Sequence, residues 1–143
     1  LSNCLVKFSK CCSPVPGDDI VGFITRGYGV SVHRADCPNV LRSRDNPAEA
    51  GRWIRVSWAD KTSEEYHTML QVVAKDRISL IVDVSTVLSA TKTRVLSLNA
   101  RSTPDGFALL DLGIAVSGRD QLKTVTSRLE QIQGVMKVTR PAG

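Results

Sequence analysis

Apolar positions along the chain follow two rhythms. Up to about residue 58 they come in short alternating runs broken by turn residues; from about residue 66 longer apolar runs alternate with segments of helical spacing. In the first stretch, residues 20–25 and 30–34 are rich in β formers. Arg26-Gly27-Tyr28-Gly29 separates them, and its glycines accept positive φ, so the pair reads as a hairpin. Residues 36–44 read as a short helix with Pro38 in the first turn. Residues 44–52 are polar with Pro and Gly, a loop, and residues 52–58 alternate as a strand.

The second stretch predicts a strand over residues 66–74, then a helix over 79–91 in which Leu80, Val84, Val87 and Leu88 recur at helical spacing. A strand over 94–101, with Val95 and Leu98 within it, leads through the turn Pro104-Asp105-Gly106 into a strand over 107–116. Asp120 is placed to cap a second helix, whose Leu122, Val125, Leu129 and Ile132 share a face and which Gly134 ends; residues 135–139 form the last strand. The order β-α-β-β-α-β is the split βαβ of ferredoxin-like folds.

The polar run Asp60-Lys61-Thr62-Ser63-Glu64-Glu65 is the expected link, dividing the chain into residues 1–62 and 63–143. The expected class is α+β, a small β-rich module followed by a βαββαβ domain. At 143 residues, 42% hydrophobic and 23% charged, the chain has material for one ordinary domain or two small ones. No apolar run approaches the roughly 20 residues needed to span a bilayer. The formal charge of +5 is spread over both halves, which permits nucleic-acid binding without demanding it.

The most chemical feature is Cys11-Cys12 followed by His33-x-x-x-Cys37. Two thiols, an imidazole and a third thiol are the ligand set of a closed tetrahedral zinc site. A single helical turn over 33–37 would set His33 and Cys37 on one face; a hairpin whose far strand delivers His33 beside a helix starting at Cys37 is the other route. Competing readings are buried apolar cysteines, as for Cys4, and a disulfide framework, for which the four cysteines allow three pairings. The few cysteines and the lack of a secretory signal fit a reducing compartment with free or metal-bound thiols.

Lys10-Cys11-Cys12-Ser13-Pro14-Val15-Pro16-Gly17-Asp18, Ile20-Val21-Gly22-Phe23-Ile24-Thr25 and Gly29-Val30-Ser31-Val32-His33-Arg34-Ala35-Asp36-Cys37-Pro38-Asn39 strongly resemble the zinc-finger-like module of the RelA/SpoT family, long bacterial (p)ppGpp synthetases/hydrolases of the stringent response. In that family an ACT domain follows, and residues 73–84 resemble its signature between first strand and first helix. The resemblance covers essentially the whole chain. It implies a cytoplasmic, regulatory C-terminal end without chemistry of its own, the catalytic domains lying upstream; the start at Leu1 is consistent with an excised piece.

Implied partners are the ribosome with its RNA, tRNA, the upstream catalytic domains and a second copy through the ACT half, with no membrane. Implied metal ligands are Cys11, Cys12, His33 and Cys37 for zinc. RNA contact would lean on Lys10, Arg26 and Arg34, all expected to face out, with Arg34 on the strand face opposite His33, and on Tyr28, where relatives often carry a basic residue, stacking on a base; the competing reading has the arginines pair with Asp18, Asp19 and Asp36 to hold turns and Tyr28 pack on Phe23. An amino-acid sensor is the alternative function, with the ligand at Asp76, Arg77, Ile78, Ser79 and Leu80. Ser79 stands where many ACT domains have Gly, and helix entry with Ser79 or Asp76 as N-cap competes with ligand binding. A thiol or zinc enzyme is a distant third reading, since four protein ligands leave a zinc no open position.

Overall fold

A computed structural model of the chain describes residues 5–27, 29–59 and 65–141, which fall into two compact units on either side of residues 60–64. Cys4 and Tyr28, with the roles expected of them, lie outside the described residues.

The first unit is built on a four-stranded sheet of order β1-β3-β2-β4. Its strands are β1 Leu5–Phe8, β2 Ile20–Ile24, β3 Gly29–Arg34 and β4 Trp53–Arg55; helix α1, Pro38–Arg44, and a 3-10 turn, Ala50–Arg52, lie between β3 and β4. The β2–β3 hairpin sets Val21 opposite His33 and Gly22 opposite Val32. Gly22 is required by space: a Cβ there would stand 2.8 Å from Val30 Cγ1 and from Val56 Cγ1. Strand β1 was not foreseen; it pairs in parallel with β3, and four residues without flanking turn signals give too little pattern to read. The strand expected over 52–58 is confined to Trp53–Arg55. His33 and Cys37 do not share a helical turn. His33 is on β3, the turn Cys37 N–H to Arg34 carbonyl (3.0 Å) follows, and Cys37 is the N-cap of α1, with Pro38 in the first turn.

The second unit runs β5 Tyr66–Lys75, α2 Leu80–Ala90, β6 Arg94–Ser102, β7 Phe107–Val116, α3 Arg119–Glu130 and β8 Val135–Thr139. Its sheet, ordered β6-β7-β5-β8, is antiparallel throughout, the arrangement a split βαβ requires. Alternation buries Thr68, Leu70, Val72 and Ala74 of β5 and Ala108, Leu110, Leu112 and Ile114 of β7. Leu80, Val84 and Leu88 of α2 and Leu122, Val125 and Leu129 of α3 are buried with them, each large side chain contributing roughly 1.5–3 kcal/mol.

The helix ends differ from expectation. Ser79 is the N-cap of α2 by position but makes no side-chain cap bond; it takes a left-handed backbone, φ 70°. Asp76 instead accepts a hydrogen bond from Ser102 Oγ at 2.7 Å. Asp120 lies within the first turn of α3, after N-cap Gly118, and caps nothing; the Ser117 N–H donates to the Gln121 side chain instead. Helix α3 stops at Glu130, so Ile132 is past its end, and Gly134 (φ 90°) serves the turn into β8. Every residue of β6 is exposed, including Val95, Leu96 and Leu98, because the strand is a sheet edge whose outer side carries no described strand.

Candidate metal centre

The loop after β1, the end of β3 and the start of α1 bring Cys11, Cys12, His33 and Cys37 together, with all four ligand atoms within 4.8 Å of one another. Cys11 Sγ is 3.5 Å from Cys37 Sγ, 3.9 Å from Cys12 Sγ and 3.4 Å from His33 Nδ1; Cys12 Sγ is 3.9 Å from that nitrogen. Tetrahedral zinc with bonds of about 2.3 Å to sulfur and 2.0–2.1 Å to nitrogen sets sulfurs about 3.8 Å apart and sulfur from nitrogen about 3.5 Å. These four separations straddle those edges and the other two stay within 4.8 Å, so the donor set fits zinc in chemistry and needs at most a closing of about 1 Å in size.

The adjacent cysteines reach one point because the chain turns sharply: the Ser13 N–H bonds the Ser9 carbonyl at 2.9 Å and Ser13 takes φ 47°. Cys12 and Cys37 are buried, and with Val40 they form a small core on which Cys11, Val21 and Trp53 pack. Burial raises the Cys12 thiol to about 12, helped by the neighbouring charges of Cys11 and Cys37 and opposed by the Arg34 N–H, which points at its sulfur from 3.3 Å. Burial also acts to raise Cys11, but hydrogen bonds from Ser9 and Asn39, and with Cys37 and Cys12, outweigh it and leave that thiol below its ordinary value. Burial lowers His33, favouring the neutral imidazole that a metal needs. A bound zinc would be a structural clamp joining three elements, with no position left for a reacting water.

The expected RNA-contacting residues separate. Lys10 and Arg26 are exposed, and Gly27 beside Arg26 has open space where a Cβ would be. Arg34 does not face out. It is on the face of β3 opposite His33, but that face is covered: Val30, Val32 and Arg34 are all buried, and Arg34 Nε pairs with Asp36 at 3.1 Å. Arg34 therefore holds the turn into α1. Residues missed from the sequence include Ser9, whose Oγ is 3.1 Å from Cys11 Sγ, and Trp53, whose ring stands edge-on to His33 with centroids 5.5 Å apart. The spacing Ser9-x-Cys11 was a usable signal for the first; nothing local marks the second. Arg42 and Arg44, exposed on α1, add cations that the helix reading passed over.

In the second unit the residues expected to hold an amino acid share the β5–α2 turn. Arg77 bonds the Gln133 carbonyl (3.0 Å), the Ile78 carbonyl (3.1 Å) and Asp83 (2.6 Å). Ile78 is 92% exposed, and Leu80 is buried in the core.

Residues 1–59 match the family described as the RelA/SpoT RIS domain, and residues 62–140 match an ACT domain. The chain is 37% identical over 144 residues to a GTP pyrophosphokinase of Escherichia coli K12, and 38% identical over 136 residues to a bifunctional (p)ppGpp synthase/hydrolase RelA of Mycobacterium tuberculosis. These alignments cover 100% and 95% of this chain but only 19% and 18% of those proteins. The crystal structure of the ACT domain from a Chlorobium tepidum GTP pyrophosphokinase aligns with 53% of this chain and 97% of its own, at 25% identity and a TM-score of 0.48. Fold and matches together define a regulatory α+β pair, a RIS domain followed by an ACT domain. The chain belongs to the RelA/SpoT family and corresponds to the C-terminal regulatory region of its long members, whose catalytic domains lie outside these residues.

Proposed function

We propose that residues 1–62 form a zinc-clamped module that contacts RNA on the ribosome, and that with the ACT unit, residues 63–143, it reports ribosome and tRNA state to the upstream catalytic domains of a cytoplasmic (p)ppGpp synthetase/hydrolase. The observation that carries the reading is the four-ligand cluster, with Lys10 next to it in sequence and exposed, and Arg26 exposed at the tip of the hairpin that supplies His33. A guanidinium beside an open glycine backbone approaches phosphate closely. Co-sedimentation with purified ribosomes tests this. The double variant Lys10→Ala/Arg26→Ala should keep its fold and bind more weakly, with the salt dependence shallower by about one unit per lost phosphate contact. Unchanged binding in the folded double variant ends the RNA role of these residues.

The second reading, amino-acid sensing, draws support from Ser79: its left-handed backbone gives the β5–α2 turn the shape a glycine would give it. Titration calorimetry with small apolar amino acids tests it; an absence of heat at millimolar ligand counts against it. A second copy is the partner we infer for the ACT unit. Strand β6 leaves a nine-residue edge exposed, and next to it α2 shows Ile81 and Val82 to solvent, whereas the outer face of α3 is charged. One two-fold axis could cover both strand edge and helix face.

A further inference from the structure

We propose that Trp53 is the positioning residue for the metal-binding imidazole, anchored through Ser43 and Glu49; this rests on the zinc reading above. His33 turns Nδ1 toward Cys11 and Cys12, which leaves Nε2 on the far side of the ring. Metal-bound histidines ordinarily hand that second N–H to a carboxylate, a carbonyl or water, which fixes the ring. Among the described residues no acceptor meets Nε2.

An aromatic array stands in its place. The register sets Val21, Phe23, His33 and Trp53 on one face of the sheet. Trp53 meets His33 at an interplanar angle of 68°, and Phe23 meets Trp53 at 60° with centroids 4.8 Å apart. The Arg52 guanidinium lies 4.7 Å over the Phe23 ring and donates to the Ile24 carbonyl at 2.9 Å, closing the stack. The indole cannot slide, because its Nε1–H donates to Ser43 Oγ at 3.0 Å and that hydroxyl donates to Glu49 at 3.1 Å. Ser43 is in α1, the helix that Cys37 begins, and Glu49 precedes the 3-10 turn. The polar segment 44–52 thus acts as the outer frame of the metal site, holding the imidazole by shape where a hydrogen bond usually does.

Zinc affinity of the full chain, measured against a chromophoric chelator, tests this alongside the absorption spectrum of the cobalt(II) form. Trp53→Leu should weaken zinc about tenfold or more and shift the cobalt bands, whereas Trp53→Phe, which keeps an aromatic edge but loses the N–H to Ser43, should fall between wild type and Trp53→Leu, alongside Ser43→Ala. Ser43→Ala touches neither metal nor ligand; it should loosen zinc severalfold and broaden the same bands, and it decides the matter if Trp53→Leu does not fold. Wild-type affinity and spectrum in Trp53→Leu, or in Ser43→Ala should that variant decide, overturn the positioning role while the zinc site stands. A wild-type chain that takes up no zinc overturns the zinc reading itself.

Discussion

Replacing Cys12 with alanine separates a metal ligand from a buried apolar cysteine, because the two roles predict different dependence on zinc. Cys12 is 1% exposed and its sulfur receives the Arg34 N–H. As a packed side chain alone, its loss removes one heavy atom and one weak hydrogen bond. That costs about 1–2 kcal/mol and is indifferent to metal. As a ligand, it takes with it a share of the binding energy of a structural zinc, about 10–16 kcal/mol over four ligands, or roughly 3 kcal/mol. Val40→Ala is the control: Val40 is fully buried in the same small core but ligates nothing, so its cost of about 1–3 kcal/mol should be alike with and without metal. Urea unfolding followed by circular dichroism, once in excess zinc and once in chelator, gives the four costs. The expected result is a Cys12→Ala penalty at least about 2 kcal/mol larger in zinc than in chelator, with no such gap for Val40→Ala. Equal penalties for Cys12→Ala in the two conditions would refute the ligand assignment.

Other outcomes follow from the same geometry. Arg34→Ala should lower the melting temperature of the first unit by several degrees, the loss of a buried stem and an ion pair to the exposed Asp36 being worth about 1–2 kcal/mol, with ribosome binding falling only in proportion; a normal melting temperature with abolished binding would reverse the assignment. Leu98→Lys on the β6 edge should shift the chain from dimer toward monomer in sedimentation velocity, and an unchanged distribution would place the contact elsewhere. Acidification should destabilise the metal-free first unit. The folded His33 titrates below its ordinary value, so its contribution is present above the unfolded imidazole pKa and is lost as pH falls through the lower folded one. Added zinc, which competes with those protons, should steepen the loss, and stability insensitive to pH in that window would contradict the burial of His33.

Much of this was legible in the chain because periodicity and ligand chemistry are local. The βαββαβ order follows from apolar spacing, and the cysteine–histidine cluster from residue types that few other roles combine. What stayed hidden depended on neighbours. Arg34 was correctly set opposite His33 by strand alternation, but alternation does not say which face is covered, and here Val30 and Val32 bury that face too. Ser79 looked like a capping serine because its type favours caps, whereas the turn demands positive φ. Trp53 stood in a strand that alternation drew too long, and its contact with His33 joins residues twenty apart. In β6 the apolar pattern suited a strand but could not tell an edge from a centre.

If a metal clamp holds an RNA-contacting surface in shape, ribosome binding must follow the zinc content of one preparation measured before metal stripping, after it, and after zinc is restored. The expected result is about one zinc per chain at the start, binding that falls sharply on stripping, and recovery with zinc but not with magnesium. A stripped chain that binds ribosomes as tightly as the zinc-loaded one would contradict it.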